Sequence, residues 1–180
     1  MAYTTLNNKY FVRKDQNAEW EDIAVKFDGV KVLSISGFNE HGKSTNIYAE
    51  QWIDEQAEDV MVVTQDDNGE DVVVRENVDL SLTFIAGEKY ATKAGFDTQT
   101  AHDAFINYMC NKGALYVRSA YTNKVANVIC LKAYKPTTER LHRHGNSYIM
   151  GTITLHTIDA PWAYNVDSDG KKPWQGGVSE

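Results

Sequence analysis

Cysteine is nearly absent from this 180-residue chain, which holds only Cys110 and Cys130, both among apolar neighbours. Two thiols do not make the disulfide framework of a small secreted domain. The start of the chain, residues 1–9, is polar and has no apolar signal-peptide core, so the expectation is a pair of buried free thiols in a chain made and used without Sec export. Long hydrophobic runs are missing as well. Although 42% of residues are hydrophobic, nowhere do about 18 apolar residues stand together as a membrane helix requires, and no membrane partner is expected. No internal repeat is present. With 24% charged residues, the composition is that of one ordinary globular domain.

Bases are missing from one long stretch. Between residues 44 and 74 stand Glu50, Asp54, Glu55, Glu58, Asp59, Asp66, Asp67, Glu70 and Asp71, with no Lys or Arg. From 112 to 144 the balance reverses: Lys112, Arg118, Lys124, Lys132, Lys135, Arg140 and Arg143 face Glu139 alone. Two solvated faces would explain the net charge of −7. A head-to-tail contact between subunits would use the same asymmetry. On that second reading Lys43, Glu50, Asp54, Glu55, Glu58, Asp59, Lys124, Lys135, Arg140 and Arg143 are candidate interface residues. A general nucleic-acid binder is disfavoured, because its basic patch would lie beside a strongly acidic one.

What the chain has in quantity is a period of two. Ile23, Val25 and Phe27 alternate with polar or small residues up to a turn at Asp28-Gly29. Residues 30–36 read as the next strand. Residues 60–64 and 72–75 flank Asp66-Asp67-Asn68-Gly69, a strong hairpin signal. Val78, Leu80, Leu82 and Phe84 alternate with Asp79, Ser81 and Thr83, and strands are also expected over 115–120, 126–134 and 148–158. In the last of these, Ile149, Ile153 and Leu155 face one side, and Thr152, Thr154 and His156 the other. Residues 98–112 are helical: Asp97-Thr98 supplies cap chemistry, Ala101, Ala104, Phe105, Tyr108 and Met109 form a stripe, and Gly113 follows as a C-cap. Residues 47–59 read as an exposed acidic loop. The expected fold is mainly β, an antiparallel β-sandwich or partly closed barrel with one flanking α-helix at about 98–112 and long loops. Residues 1–22 are expected as an N-terminal arm, 23–162 as the β domain and 163–180 as a flexible C-terminal arm.

One motif argues for an enzyme. Gly37-Phe-Asn-Glu-His-Gly42-Lys43-Ser44 matches the phosphate-loop pattern G-x-x-x-x-G-K-[ST] and resembles the loop of translational GTPases; Ile158-Asp159-Ala160-Pro161 resembles their switch motif. The chemistry behind the letters is missing. A phosphate loop needs a parallel strand that leads into a helix, whose N-terminal N–H groups hold the phosphates. Here acids follow instead, Trp162 replaces the switch glycine, and residues 163–180 leave no room for a guanine-reading segment. His142-Arg143-His144 lacks a third metal ligand at usual spacing. His102 is expected at the edge of the helical stripe, and His156 has no nucleophile in its local sequence. Tyr116, Tyr121, Tyr134 and Tyr148 suit half-buried strand packing, or the platform of a carbohydrate-binding module. No catalytic residue, metal or cofactor is expected.

Taken in order, 27–35, the polar excursion 37–59, Val78-Asp-Leu-Ser-Leu-Thr-Phe84, the helix, Gly113-Ala-Leu-Tyr-Val-Arg118, Asn127-Val-Ile-Cys-Leu-Lys-Ala-Tyr134 and 148–161 resemble the tail tube and distal tail proteins of long-tailed bacteriophages. The likeness covers roughly residues 23–162. It implies a structural virion protein, assembled in the host cytoplasm, that partners itself in hexameric rings stacked head to tail, joins other tail proteins and lets DNA pass without specific binding. It implies no catalytic residues. Asp66, Asp67, Glu70 and Asp71 would then face the lumen or the next ring. The phosphate-loop letters yield a direct test: wild type and Lys43→Ala should show the same negligible affinity for magnesium-ATP and magnesium-GTP by calorimetry, and a Lys43-dependent affinity would restore the nucleotide reading.

Overall fold

The computed structural model describes residues 9–40, 42, 48–50, 60–62, 64–65, 68–69, 71–72, 76–140, 147–159 and 162–163. The chain forms two compact units, one of Met1–Asn39 with Asp79–Glu180 and one of Glu40–Val78. The larger holds β1 (Tyr10–Arg13), β2 (Glu21–Asp22), a one-turn helix α1 (Ile23–Lys26) and β3 (Val30–Ser36). The smaller holds β4 (Tyr48–Glu50), β5 (Val60–Val62), β6 (Thr64–Gln65) and β7 (Asp71–Val72). The larger unit resumes with β8 (Asp79–Gly87), α2 (Thr98–Cys110), β9 (Leu115–Ser119), β10 (Lys124–Ile129), β11 (Pro136–Arg140), β12 (Tyr148–Thr157) and β13 (Trp162–Ala163). No helix among the described residues is long and apolar enough to cross a membrane.

The larger unit is one nine-stranded sheet in the order β2-β1-β9-β10-β12-β8-β3, with β11 added to β12 and β13 to β10. Every pairing in it is antiparallel. The sheet does not close on itself, and α2 backs it, in keeping with the expected mainly β, sandwich-like class.

Alternation explains the centre. In β8, Leu80, Leu82, Phe84 and Ala86 are buried while Asp79, Ser81, Thr83 and Ile85 are half-buried on the other face. β12 pairs with it through nine consecutive residues, from Tyr148↔Gly87 to His156↔Asp79, and buries Ile149, Ile153 and Leu155 as the pattern requires. On the outer face Thr83 and Thr152, directly opposite, share a hydroxyl hydrogen bond of 3.0 Å. α2 starts where the Asp97 side chain accepts from Thr100 N at 2.8 Å, and it lays Phe105 against Phe84 with ring centroids 4.7 Å apart. Phe27 meets Phe105 and Tyr108 edge-on at 5.2 and 5.3 Å. Such offset and edge contacts suit the ring quadrupoles.

The structure departs from the sequence expectations in five places. Ile23–Lys26 is a helical turn rather than a strand, with Asp22 Oδ1 accepting from Ala24 N at 2.9 Å and Phe27 N donating to Ile23 O at 2.9 Å. Ile23 and Phe27 are four residues apart, a spacing that fits either period, and the Asp22 cap decides for the helix. Val25 is left exposed. Tyr10–Arg13, inside the stretch expected as an arm, pairs with β9 and buries Val12 completely; residues 1–8 and 164–180 lie outside the described residues. Tyr48–Glu50, expected in a loop, pairs with Val60–Val62. The strand expected over 126–134 ends at Ile129, and Pro136–Arg140 makes a separate edge strand. In α2 the buried stripe is Thr98, His102, Phe105, Tyr108 and Met109, whereas Ala104 is exposed. The Asn-Gly hairpin is present: β6 pairs with β7 across it.

Phe84 sits at the centre of all this, fully buried beneath α2. Phe84→Ala should cost about 3–5 kcal/mol of stability, read as a fall in the denaturant midpoint with the slope unchanged.

Candidate functional site

The two ends of the larger unit that border residues 40–78 are held by polar contacts. After β3, Gly37 turns at φ +101° and lies so close to β8 that a Cβ there would come within 2.7 Å of Asp79 O, so only glycine fits. The next residue of the phosphate-loop pattern, Phe38, is buried in the core, and its carbonyl accepts from Lys124 Nζ at 3.2 Å. β3 runs antiparallel to β8. The parallel strand that a phosphate loop requires is therefore not what delivers this segment.

At the other border, Asp79 accepts from Lys132 Nζ and from His156 Nδ1, the latter at 2.9 Å. The hydrogen bond from Lys132, then that from His156, holds the Asp79 carboxyl below its ordinary value against the opposing effect of burial. His156 therefore has a partner that its own neighbourhood in the chain does not reveal. The two residues lie directly opposite across β8 and β12. Both stand on polar faces that alternation identifies; only the register joins them.

A second polar group lies beneath α2. His102, buried in the helical stripe, hydrogen-bonds Asp103 Oδ1 through Nδ1 at 2.8 Å and Tyr134 Oη through Nε2 at 3.0 Å. Tyr134 occupies the space over Gly151, where a Cβ would stand 2.3 Å from its hydroxyl. Burial first, then the charges of Cys110 and Glu139, push the Tyr134 phenol up to about 12, so it stays protonated at neutral pH. Close by, Thr98 and Ser147 share a hydroxyl contact of 2.5 Å. These groups satisfy one another and tie α2 to the sheet. Tyr116 belongs to a separate cluster, where Arg13 is stacked 4.4 Å from the Trp20 ring and 5.0 Å from that of Tyr116. Tyr116 and Tyr134 therefore do not build one platform.

A cavity of about 640 Å³ opens between β1, α1 and β3, lined by Lys9, Tyr10, Ile23, Val30, Val32 and Leu33 among others. Lys9 Nζ is 3.5 Å from Asp22 at its rim. β3 pairs with β8 on one side and ends the strand order on the other.

The proposed interface residues are scattered. Lys124 is turned inward to Phe38 O. Lys135 and Arg140 are exposed at either end of β11. Glu50 lies in β4 and Asp71 in β7. Lys43, Asp54, Glu55, Glu58, Asp59, Asp66, Asp67, Glu70 and Arg143 lie outside the described residues, as do His142 and His144. Among the described residues no group of three or more His, Cys, Asp or Glu is arranged to hold a metal ion.

The class defined by this geometry is a mainly β protein with an open antiparallel sheet backed by one helix. No family model matches the chain, and no curated protein sequence does. Among solved structures, a chain in the phage P2 baseplate in its activated conformation with calcium is similar at a TM-score of 0.51 and 15% identity, with 87% of this chain and 46% of that chain covered. A chain in the phage p2 baseplate in its activated conformation with strontium is similar at a TM-score of 0.49 and 16% identity, with the same coverage. This chain thus spans about half the length of the chains that it matches. The first of these similarities shows a shared fold.

Asp79 supplies the pH test. Its folded pKa lies below the ordinary value of about 3.9, so its contribution to stability is complete above that value and is lost as pH falls through the lower folded value. Asp79→Asn should lower the thermal midpoint at pH 7 and flatten the acid limb of the stability curve below about pH 4, measured by thermal melts across pH.

Proposed function

We propose that this chain is a structural, non-catalytic subunit of a bacteriophage tail, in the baseplate or the tube next to it, and that it works by packing against copies of itself and other tail proteins. The observation that carries the reading is the fold shared with a phage P2 baseplate chain over 87% of this chain. The finer picture is a ring, hexameric and stacked on further rings around the passage for DNA, in the tail of the virion. Features of the chain support it. Among the described residues the sheet is open and ends on β3, and an unpaired edge is a template for another chain unless something covers it. Lys135 and Arg140 stand exposed along β11, and the 44–74 stretch is rich in acid and devoid of base. Opposite charges on two parts of one chain suit a heterologous contact, which closes as a ring or continues as a stack.

Negative-stain microscopy and native mass spectrometry of the purified chain at high concentration test this reading. Rings or short tubes are expected, whereas a homogeneous monomer at every concentration counts against it. Within the assembling protein, Lys135→Glu with Arg140→Glu should weaken association several-fold, and added salt should weaken the wild type in the same direction.

A further inference from the structure

The cavity beside α1 has Tyr10 of β1 and Asp22 of β2 on one side, and Val30, Lys31, Val32 and Leu33 of β3 on the other. β2 and β1 lie at one end of the strand order and β3 at the opposite end. The sheet therefore curls until its two ends face each other across a gap of about 640 Å³. That volume falls within the range of about 300–1,000 Å³ usual for ligand sites. Successive side chains of a strand point to opposite faces, so four consecutive residues line one cavity only where it opens onto the edge of the strand. The hydrogen bonds agree. Gly87 N donates to Gly29 O at 2.9 Å, whereas Val30 N turns the other way, to Phe27 O at 3.0 Å. These directions alternate along an antiparallel pair, so the N–H and C=O of Lys31 face β8 and those of Val32 face the cavity. Among the described residues no strand receives them.

We infer that this gap receives an extended segment of a partner protein, which adds to β3 as a strand, sets an apolar side chain in the cavity and turns carboxylates toward Lys31. Main-chain hydrogen bonds to Val32 supply affinity, and the fit of alternate side chains supplies selectivity. The floor is apolar: Tyr10, Ile23, Val30 and Val32 are buried, and Leu33 beside them is exposed. The rim offers a cation. Lys31 Nζ stands 5.5 Å from the Tyr90 ring centroid and pairs with no acid among the described residues. Lysine on an edge strand opposes the pairing of like edges, which disfavours β3 of a second copy as the occupant. Carboxylates on the incoming strand turn the same charge into an attraction. This deepens the structural reading above and rests on it for one thing, that the open edge meets other tail proteins.

The probe is a blocked six-residue peptide of alternating valine and glutamate, titrated by calorimetry into the full chain at neutral pH. Saturable binding of one peptide per chain is expected, with slowed hydrogen exchange at the Val32 amide. The N-methylated peptide, and a peptide with lysine in place of glutamate, should each bind at least several-fold more weakly. Ala24 is exposed on α1 and lines the cavity, so Ala24→Trp should fill the gap and abolish binding; Ala24→Leu is the alternate if that variant fails to fold. Lys31→Glu should weaken binding several-fold and shift preference to the lysine peptide. No saturable binding, equal binding of the N-methylated peptide, or indifference to both substitutions overturns the inference. Native mass spectrometry of the same mixtures separates the occupants: assemblies that the peptide disperses assign the edge to a second copy and overturn it. Rings that form while the peptide fails to bind overturn this inference alone. Binding by a chain that stays monomeric at every concentration supports it and counts against the ring.

Discussion

The antiparallel register of β8 on β12 is the constraint on which the rest of the structure depends. Nine consecutive pairs bring Leu80, Leu82, Phe84, Ile149, Ile153 and Leu155 to one face. α2 docks on that face through Phe105 and Met109. A slip of one residue would turn both apolar sets to solvent. The same register sets Asp79 opposite His156 and Thr83 opposite Thr152, and it places Gly151 beneath Tyr134. The buried imidazole of His102 has a hydrogen-bond acceptor or donor in Tyr134 because that glycine lets the ring approach.

From this centre the sheet extends both ways and stays open. α1 is too short to be stable as an isolated helix. It persists because Asp22 caps it and because it packs against β1, β2 and β3, with Ile23 buried. Residues 40–78 form their own compact unit, and Lys124, Lys132 and His156 each hold a residue at the border of the larger unit, Phe38 or Asp79. Lys124 and Lys132 belong to the basic part of the chain. Both spend their charge inside the subunit, which separates them from Lys135 and Arg140 as a surface for partners.

Much of the architecture is legible in the sequence, because period-two and helical patterns are local. β3, β8, β9 and β12 follow directly from alternation, α2 from its cap and stripe, and the β6–β7 hairpin from Asn68-Gly69. The misreadings fall where local signals are degenerate. Ile23, Val25 and Phe27 fit a strand until the Asp22 side chain is seen to cap a turn. Tyr10–Arg13 is short and lies between polar flanks, so its place against β9 depends on a partner more than a hundred residues away. His102 does not look like a core residue until Tyr134 supplies its hydrogen bond.

The phosphate-loop letters mark the limit of motif reading. Gly37 is there for a tight approach to Asp79, a requirement of packing that supplies one of the four fixed letters of the nucleotide-binding pattern, and Phe38, at a variable position of it, is there for the core. The sequence alone determined the mainly β class, the single long helix and the opposition of an acidic and a basic stretch, because composition and periodicity are carried by neighbouring residues. Tertiary structure decided which polar residues meet: Asp79 with His156 and Lys132, His102 with Tyr134, and Thr98 with Ser147. These partners are brought together by strand register and helix docking, which depend on the whole core settling at once.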